Sequence, residues 1–208
     1  MNELIQLTAR QAVELLKKGE VSPRELIDAA ADRIGEVEKE VNALPTLCLD
    51  RARNRAEMLV THPQDNPPPY YLYGLPIAVK DLEDVAGVRT TYGSPLFAHH
   101  IPDRSDYLVE KLESNGAIVI GKSNTPEFGA GANTFNEVFG ATRNPWNTAL
   151  TCGGSSGGSA VVLATGEVWL ATGSDLGGSL RIPASFCSVV GFRPSPGRIA
   201  AGPNPLPF

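Results

Sequence analysis

Histidine, cysteine and methionine are scarce in this 208-residue chain: three histidines, three cysteines and two methionines. With only His62, His99 and His100 available, two of them beside each other in a loop, a serine-histidine-aspartate site has little to draw on. Cys48, Cys152 and Cys187 are odd in number and far apart, which excludes a disulfide framework and the usual metal-ligand spacings. No metal and no cofactor are expected, and a reducing cytoplasm is the expected home. Positive charge is not in excess either. The formal net charge is -5, which gives no electrostatic reason to expect nucleic acid. No apolar run approaches the length needed to span a bilayer, and no basic segment leads into an apolar one at the N-terminus, so neither membrane nor secretion is expected. What remains is ordinary globular composition, 42% hydrophobic and 20% charged, enough for one medium domain or part of a larger one.

Helix signals come first. Thr8-Ala-Arg-Gln11 and Ser22-Pro-Arg-Glu25 are capping-box patterns, the second with proline at the first helical position. Apolar residues follow each at helical spacing, and a third helix is expected over 50–60. A short strand is expected over 43–49, and a proline-rich connector over 62–69. Leu75-Pro-Ile-Ala-Val-Lys-Asp81 is a β-prone run ending on a lysine and an aspartate. A loop over 83–100, a helix from Ser105 and a strand over 117–120 complete a helix-strand alternation, which indicates an α/β sheet. Residues 159–166 read as a helix of small side chains, 167–172 as a strand, and 183–190 as an apolar stretch.

Gly116-Ala-Ile-Val-Ile-Gly-Lys-Ser123 matches the phosphate-binding pattern of nucleotide-binding proteins. In such a loop the glycines follow a strand and a helix begins at the Lys-Ser pair. Here the intervening residues are the strand itself, so their N–H groups belong to a ladder, and nucleotide binding is rejected.

The chemistry concentrates in residues 151–193. Two glycine-serine loops, Gly153-Gly-Ser-Ser-Gly-Gly-Ser159 and Gly173-Ser-Asp-Leu-Gly-Gly-Ser179, flank an apolar segment. Such loops offer backbone N–H groups, hydroxyls and positive-φ freedom, the materials of an oxyanion site. Ser155 and Ser179 are the serines singled out. A serine nucleophile needs a base, and a desolvated lysine can replace histidine. Strand-end Lys80 is the candidate.

These loops, with Gly74-Leu-Pro-Ile-Ala-Val-Lys-Asp81, Gly121-Lys-Ser-Asn-Thr-Pro-Glu-Phe128, Thr142-Arg-Asn-Pro-Trp146 and Gly191-Phe-Arg-Pro194, make the chain resemble the amidase signature family along nearly its whole length. The resemblance implies a mixed β-sheet core flanked by helices, here truncated: one partial domain over 1–208, with an N-terminal helical layer over 1–60 and a catalytic α/β core over 70–208. It implies a Ser-Ser-Lys triad hydrolysing amides through an acyl-enzyme. Ser179 would be the nucleophile, Ser155 the bridging serine behind a cis peptide bond after Gly154, and Lys80 the general base. The N–H groups of Leu176, Gly177, Gly178 and Ser179 would form the oxyanion hole, and Asp175 and Arg181 would hold the loop's shape. The substrate would be a small amide. The C-terminal half of the domain, in the same chain or a separate one, would be the main partner, and the resemblance leaves room for a homodimer. An amidotransferase A-type subunit releasing ammonia from glutamine is the alternative within the family. An inactive fragment or partner-binding half-domain is the alternative of another class.

Overall fold

In the computed structural model, which describes residues 2–199, six α-helices surround a mixed sheet. Helix α1 (Ala9–Lys18) and α2 (Pro23–Val41) both begin with complete capping boxes, on Thr8 with Gln11 and on Ser22 with Glu25. Each box satisfies backbone donors that the first turn leaves free, an effect worth about 1 kcal/mol. Helix α1 closes on Gly19 in the left-handed conformation, which lets its N–H reach the last carbonyls. Helix α3 (Leu49–Thr61) follows the two-residue strand β1 (Thr46–Leu47).

The sheet order is β1-β3-β2-β6, with β2 (Pro76–Lys80) and β3 (Ile118–Ser123) at its centre. Strand β2 runs parallel to β3 on one side and to β6 (Leu170–Ala171) on the other, while β1 is antiparallel to β3. Helix α4 (Tyr107–Ser114) connects β2 to β3, and α5 (Gly157–Ala164) precedes β6. A small hairpin, β4 (Phe135–Asn136) with β5 (Gly140–Ala141), lies outside this sheet. Every residue of β2 and β3 is buried, as expected for a sheet covered on both faces. One face packs Ala78, Ile118 and Ile120 against α1, α2, α3 and α5; the other packs Ile77, Val79 and Val119 against Val85, Val88 and Val109.

A β-bulge decides where the polar ends of these strands point. Ile77 pairs with Val119, but Ala78 pairs with Gly121, so Ile120 has no partner on β2. Its carbonyl instead accepts the Cys48 N–H at 2.9 Å. Side chains alternate between faces along a strand, and one extra residue reverses the alternation beyond it. Lys80 and Ser123 therefore face α5, whereas Lys122 faces the opposite layer.

Several boundaries differ from the sequence expectations: the strands expected over 43–49 and 167–172 shrink to β1 and β6, two residues each, and α4 begins at Tyr107 rather than Ser105. Helix α5 starts at Gly157, two residues earlier than expected, and Gly158 in its first turn packs against backbone: an added Cβ would lie 2.3 Å from Asn124 N. Strand β3 runs on to Ser123, three residues further than expected. The apolar stretch 183–190 belongs largely to helix α6 (Arg181–Cys187), with Pro183 in its first turn, where a missing N–H costs nothing.

Candidate active site

The two glycine-serine loops meet over the C-terminal end of β2. Lys80 is fully buried there, and its Nζ lies 2.8 Å from Ser155 Oγ, 2.9 Å from Ser156 Oγ and 2.9 Å from Ser174 Oγ. Among the described residues no carboxylate touches it. Burial without an ionic partner pulls the ammonium down to about 8, against the opposing charges of Glu83 and Asp175. A lysine so placed is partly neutral near pH 8, and a neutral amine can accept a proton from a hydroxyl.

The first loop is braced by its backbone. The Gly154–Ser155 peptide bond is cis. Thr134 Oγ1 donates to the Gly153 carbonyl and accepts the Gly157 N–H, at 2.9 and 3.1 Å. A Cβ on Gly157 would lie 2.1 Å from that same oxygen, so glycine is required by contact. Ser159 Oγ is 2.7 Å from Ser123 Oγ and donates to the Thr172 carbonyl, tying α5 to the ends of β3 and β6.

The second loop is organised by Asp175. Its side chain is fully buried and accepts the Gly178 N–H at 2.7 Å and the Leu180 N–H at 3.2 Å. Arg181 adds a two-pronged pair at 2.9 and 3.0 Å, and Arg193 Nε donates to the Asp175 carbonyl. The Arg181 hydrogen bonds, with the three backbone donors, hold the Asp175 carboxyl well below the usual carboxylate range. Among the described residues, the N–H groups of Leu176, Gly177 and Ser179 have no acceptor. Gly178 departs from expectation: its N–H is engaged by Asp175, so it is not free to donate to an oxyanion.

Lys80 and Ser155 are thus brought into direct contact, and the loop carrying Ser179 is attached to them through its backbone, Ser156 N–H donating to the Ser179 carbonyl at 3.0 Å. Ser179 is half-buried, and its Oγ makes no hydrogen bond among the described residues. Leu176 stands exposed at the rim. An apolar cavity of about 760 Å³ runs beside this loop, lined by Trp169, Leu170, Leu180, Val190 and Phe192 among others.

The family described as Amidase matches residues 25–204. This chain belongs to that family. The A-type subunit of glutamyl-tRNA(Gln) amidotransferase from Dehalococcoides mccartyi (strain CBDB1) is 42% identical over 202 residues, covering 96% of this chain and 41% of that protein. A bacterial aryl acylamidase of the amidase signature family superposes with a TM-score of 0.89 at 34% identity, over 98% of this chain and 43% of its own. A 6-aminohexanoate cyclic dimer hydrolase complexed with substrate gives 0.87 at 34% identity, over 96% and 40%. The chain thus spans about two-fifths of the length of these relatives. No helix among the described residues is long and apolar enough to cross a membrane.

Two features escaped the sequence reading. Ser156 and Ser174, two further serines of the glycine-serine loops, contact Lys80 directly. Glu83, three residues after the motif lysine in sequence, reaches the same site by way of Thr172. Only the Gly-Ser composition around 155 and 174 hinted at the first, and nothing pointed to the second.

Proposed function

We propose that this chain carries the catalytic centre of a serine-dependent amide hydrolase. Ser179 Oγ attacks the amide carbonyl carbon, and its proton passes through Ser155 Oγ to neutral Lys80 Nζ. The negative oxygen of the tetrahedral intermediate is received by the N–H groups of Leu176, Gly177 and Ser179, where one donor is typically worth about two to three orders of magnitude in rate. The C–N bond breaks as the proton held by Lys80 returns through Ser155 to the leaving nitrogen. Water, activated by the same lysine, then attacks the acyl-enzyme, releases the carboxylic acid and regenerates Ser179. A loop movement that brings Ser179 Oγ within hydrogen-bond reach of Ser155 completes the relay, as catalytic contacts often tighten only when substrate binds.

The single observation that carries this reading is the buried Lys80 amine, surrounded by hydroxyls and directly bonded to Ser155. A lysine kept from every carboxylate serves an ion pair poorly and a base well. The rest of a relative-length chain, in cis or as a separate polypeptide, covers the apolar cavity beside β6 and supplies the remaining walls of the substrate pocket. The test is acyl transfer to hydroxylamine with a panel of simple amides, using the full protein that bears these residues. Hydroxamate formation lost in Ser179→Ala supports the acyl-enzyme; hydrolysis surviving that substitution overturns it.

Release of ammonia from glutamine, as one component of an amidotransferase, is the second reading. The 42% identity with a component of a tRNA-dependent amidotransferase favours it. Glutaminase activity that appears only with partner subunits would select it over a stand-alone amidase.

A further inference from the structure

Glu83 lies three residues beyond Lys80, in the turn that leaves β2, and its N–H donates to the Lys80 carbonyl at 3.0 Å. Its carboxylate accepts a hydrogen bond from Thr172 Oγ1. The same Thr172 oxygen accepts the Lys80 backbone N–H at 2.9 Å. One hydroxyl, 89 residues along the chain from Glu83, therefore joins an acid to the backbone of the proposed base. The Glu83 carbonyl also accepts from Lys122 Nζ at 2.7 Å, which fixes the turn from the other face of the sheet. Burial raises the Glu83 carboxyl to about 7, against the Thr172 hydrogen bond and the charges of Lys80 and Lys122, with Asp106 adding to the rise. The charged groups acting on Lys80 are Glu83 and, from the second loop, Asp175.

We infer that Glu83, held by Thr172, is a positioning residue that sets the basicity of Lys80. Ionised, it favours the ammonium form and makes Lys80 a stronger base; protonated, it withdraws that support and leaves more of the amine neutral. Its carboxyl does not touch Lys80 Nζ, so it acts through charge and through the Thr172 bridge to the Lys80 backbone. The two groups titrate close enough together that each moves the other, and the site's response to pH belongs to the pair.

The inference rests on the reading of Lys80 as general base only where activity is concerned, so its test includes a measurement that needs no turnover. The Lys80 Nζ titration is followed by nitrogen-15 NMR of lysine-labelled full protein, with the resonance assigned by its loss in Lys80→Met. Glu83→Gln keeps an acceptor for Thr172 and removes the charge. It is expected to lower the Lys80 midpoint by about one unit, roughly a tenfold change in the neutral fraction below that midpoint. Thr172→Val raises the Glu83 carboxyl further by removing a bond that favours its ionised form, so it shifts Lys80 the same way. The double variant is expected to move no further than Glu83→Gln alone, because both changes act through one charge. An unmoved Lys80 midpoint in both single variants overturns the inference, as do shifts that add in the double variant. The acid limb of kcat/KM against pH is expected to follow the NMR midpoint. If the midpoint moves while that limb stays, the inference stands and the general-base reading of Lys80 falls.

Discussion

Lys80 and Lys122 lie near the ends of adjacent parallel strands, both fully buried, and they belong to different chemistries. Lys122 Nζ sits 3.1 Å from Asp81, 2.8 Å from Thr90 Oγ1 and 2.7 Å from the Glu83 carbonyl. Its three protons have three acceptors, one of them a carboxylate, and the carboxylate is itself tied down by Thr91. Lys80 has three hydroxyls and, among the described residues, no anion in contact. Burial penalises the ammonium in both cases, but only Lys122 receives the compensation of an ion pair. The lesson is that a buried lysine is read from its partners rather than from its burial. The bulge at Ile120 keeps the two apart: in an unbroken register Lys122 rather than Ser123 would pair with Lys80 and share its face.

Removing each amine in turn is the strongest way to break this comparison. Lys80→Met is expected to lower amide hydrolysis by about 10²–10⁴-fold, the usual contribution of a general base, while the protein still folds. Activity and a thermal melt on the same sample decide it. Lys122→Met is expected to do the reverse in kind, leaving the Asp81 carboxylate buried without its cation at a cost of about 3–5 kcal/mol in stability. A denaturation midpoint unchanged in that variant would remove the distinction between the two lysines.

The response to pH sharpens the contrast. Activity is expected to rise with pH through about 8 as Lys80 loses its proton. For stability the sign is set by the unfolded chain, where a free lysine titrates at ~10.4 and therefore binds more protons than the folded state between the two values. Lys80 thus weakens the fold at neutral pH, and this penalty fades as pH rises from about 8 towards ~10.4. Any stability that Lys80→Met gains over the parent at pH 7 is expected to shrink across that window, measured by denaturant unfolding at each pH.

The smallest expected effects come from single hydroxyls. Ser174→Ala removes one of three acceptors around Lys80, and Thr90→Val one of three around Lys122. Each loses a hydrogen bond worth about 0.5–1.5 kcal/mol. Ser174→Ala is expected to change the rate and Thr90→Val the melting temperature, and a crossed result would show that the two clusters are coupled.

How much of this was legible in the sequence depends on whether the signal was local. The capping boxes at Thr8 and Ser22 could be read because cap and partner are three residues apart. The strand ending on Lys80 was visible in its β-prone run, and the false phosphate-binding pattern was recognised because its apolar residues formed a strand. Nothing in the sequence showed that Lys122 would pair with Asp81, which lies 41 positions away. Helix α6 was missed because Arg181-Ile-Pro183 places a proline where a helix interior would reject it but a first turn accepts it. The bulge that turns Lys122 away from Lys80 leaves no pattern in the β3 sequence, since Ile120 would suit either face. The family resemblance implied the Gly178 N–H as an oxyanion donor; only the folded loop shows Asp175 already holding it.

The central claim is that Lys80 and Ser155 activate Ser179. Labelling the native full protein with a fluorophosphonate, followed by intact mass and peptide mapping, tests it without knowledge of the substrate. The account predicts one adduct, on Ser179, formed by the parent and by Thr90→Val but not by Lys80→Met. An adduct on another serine, or equal labelling of Ser179 in Lys80→Met, would contradict it.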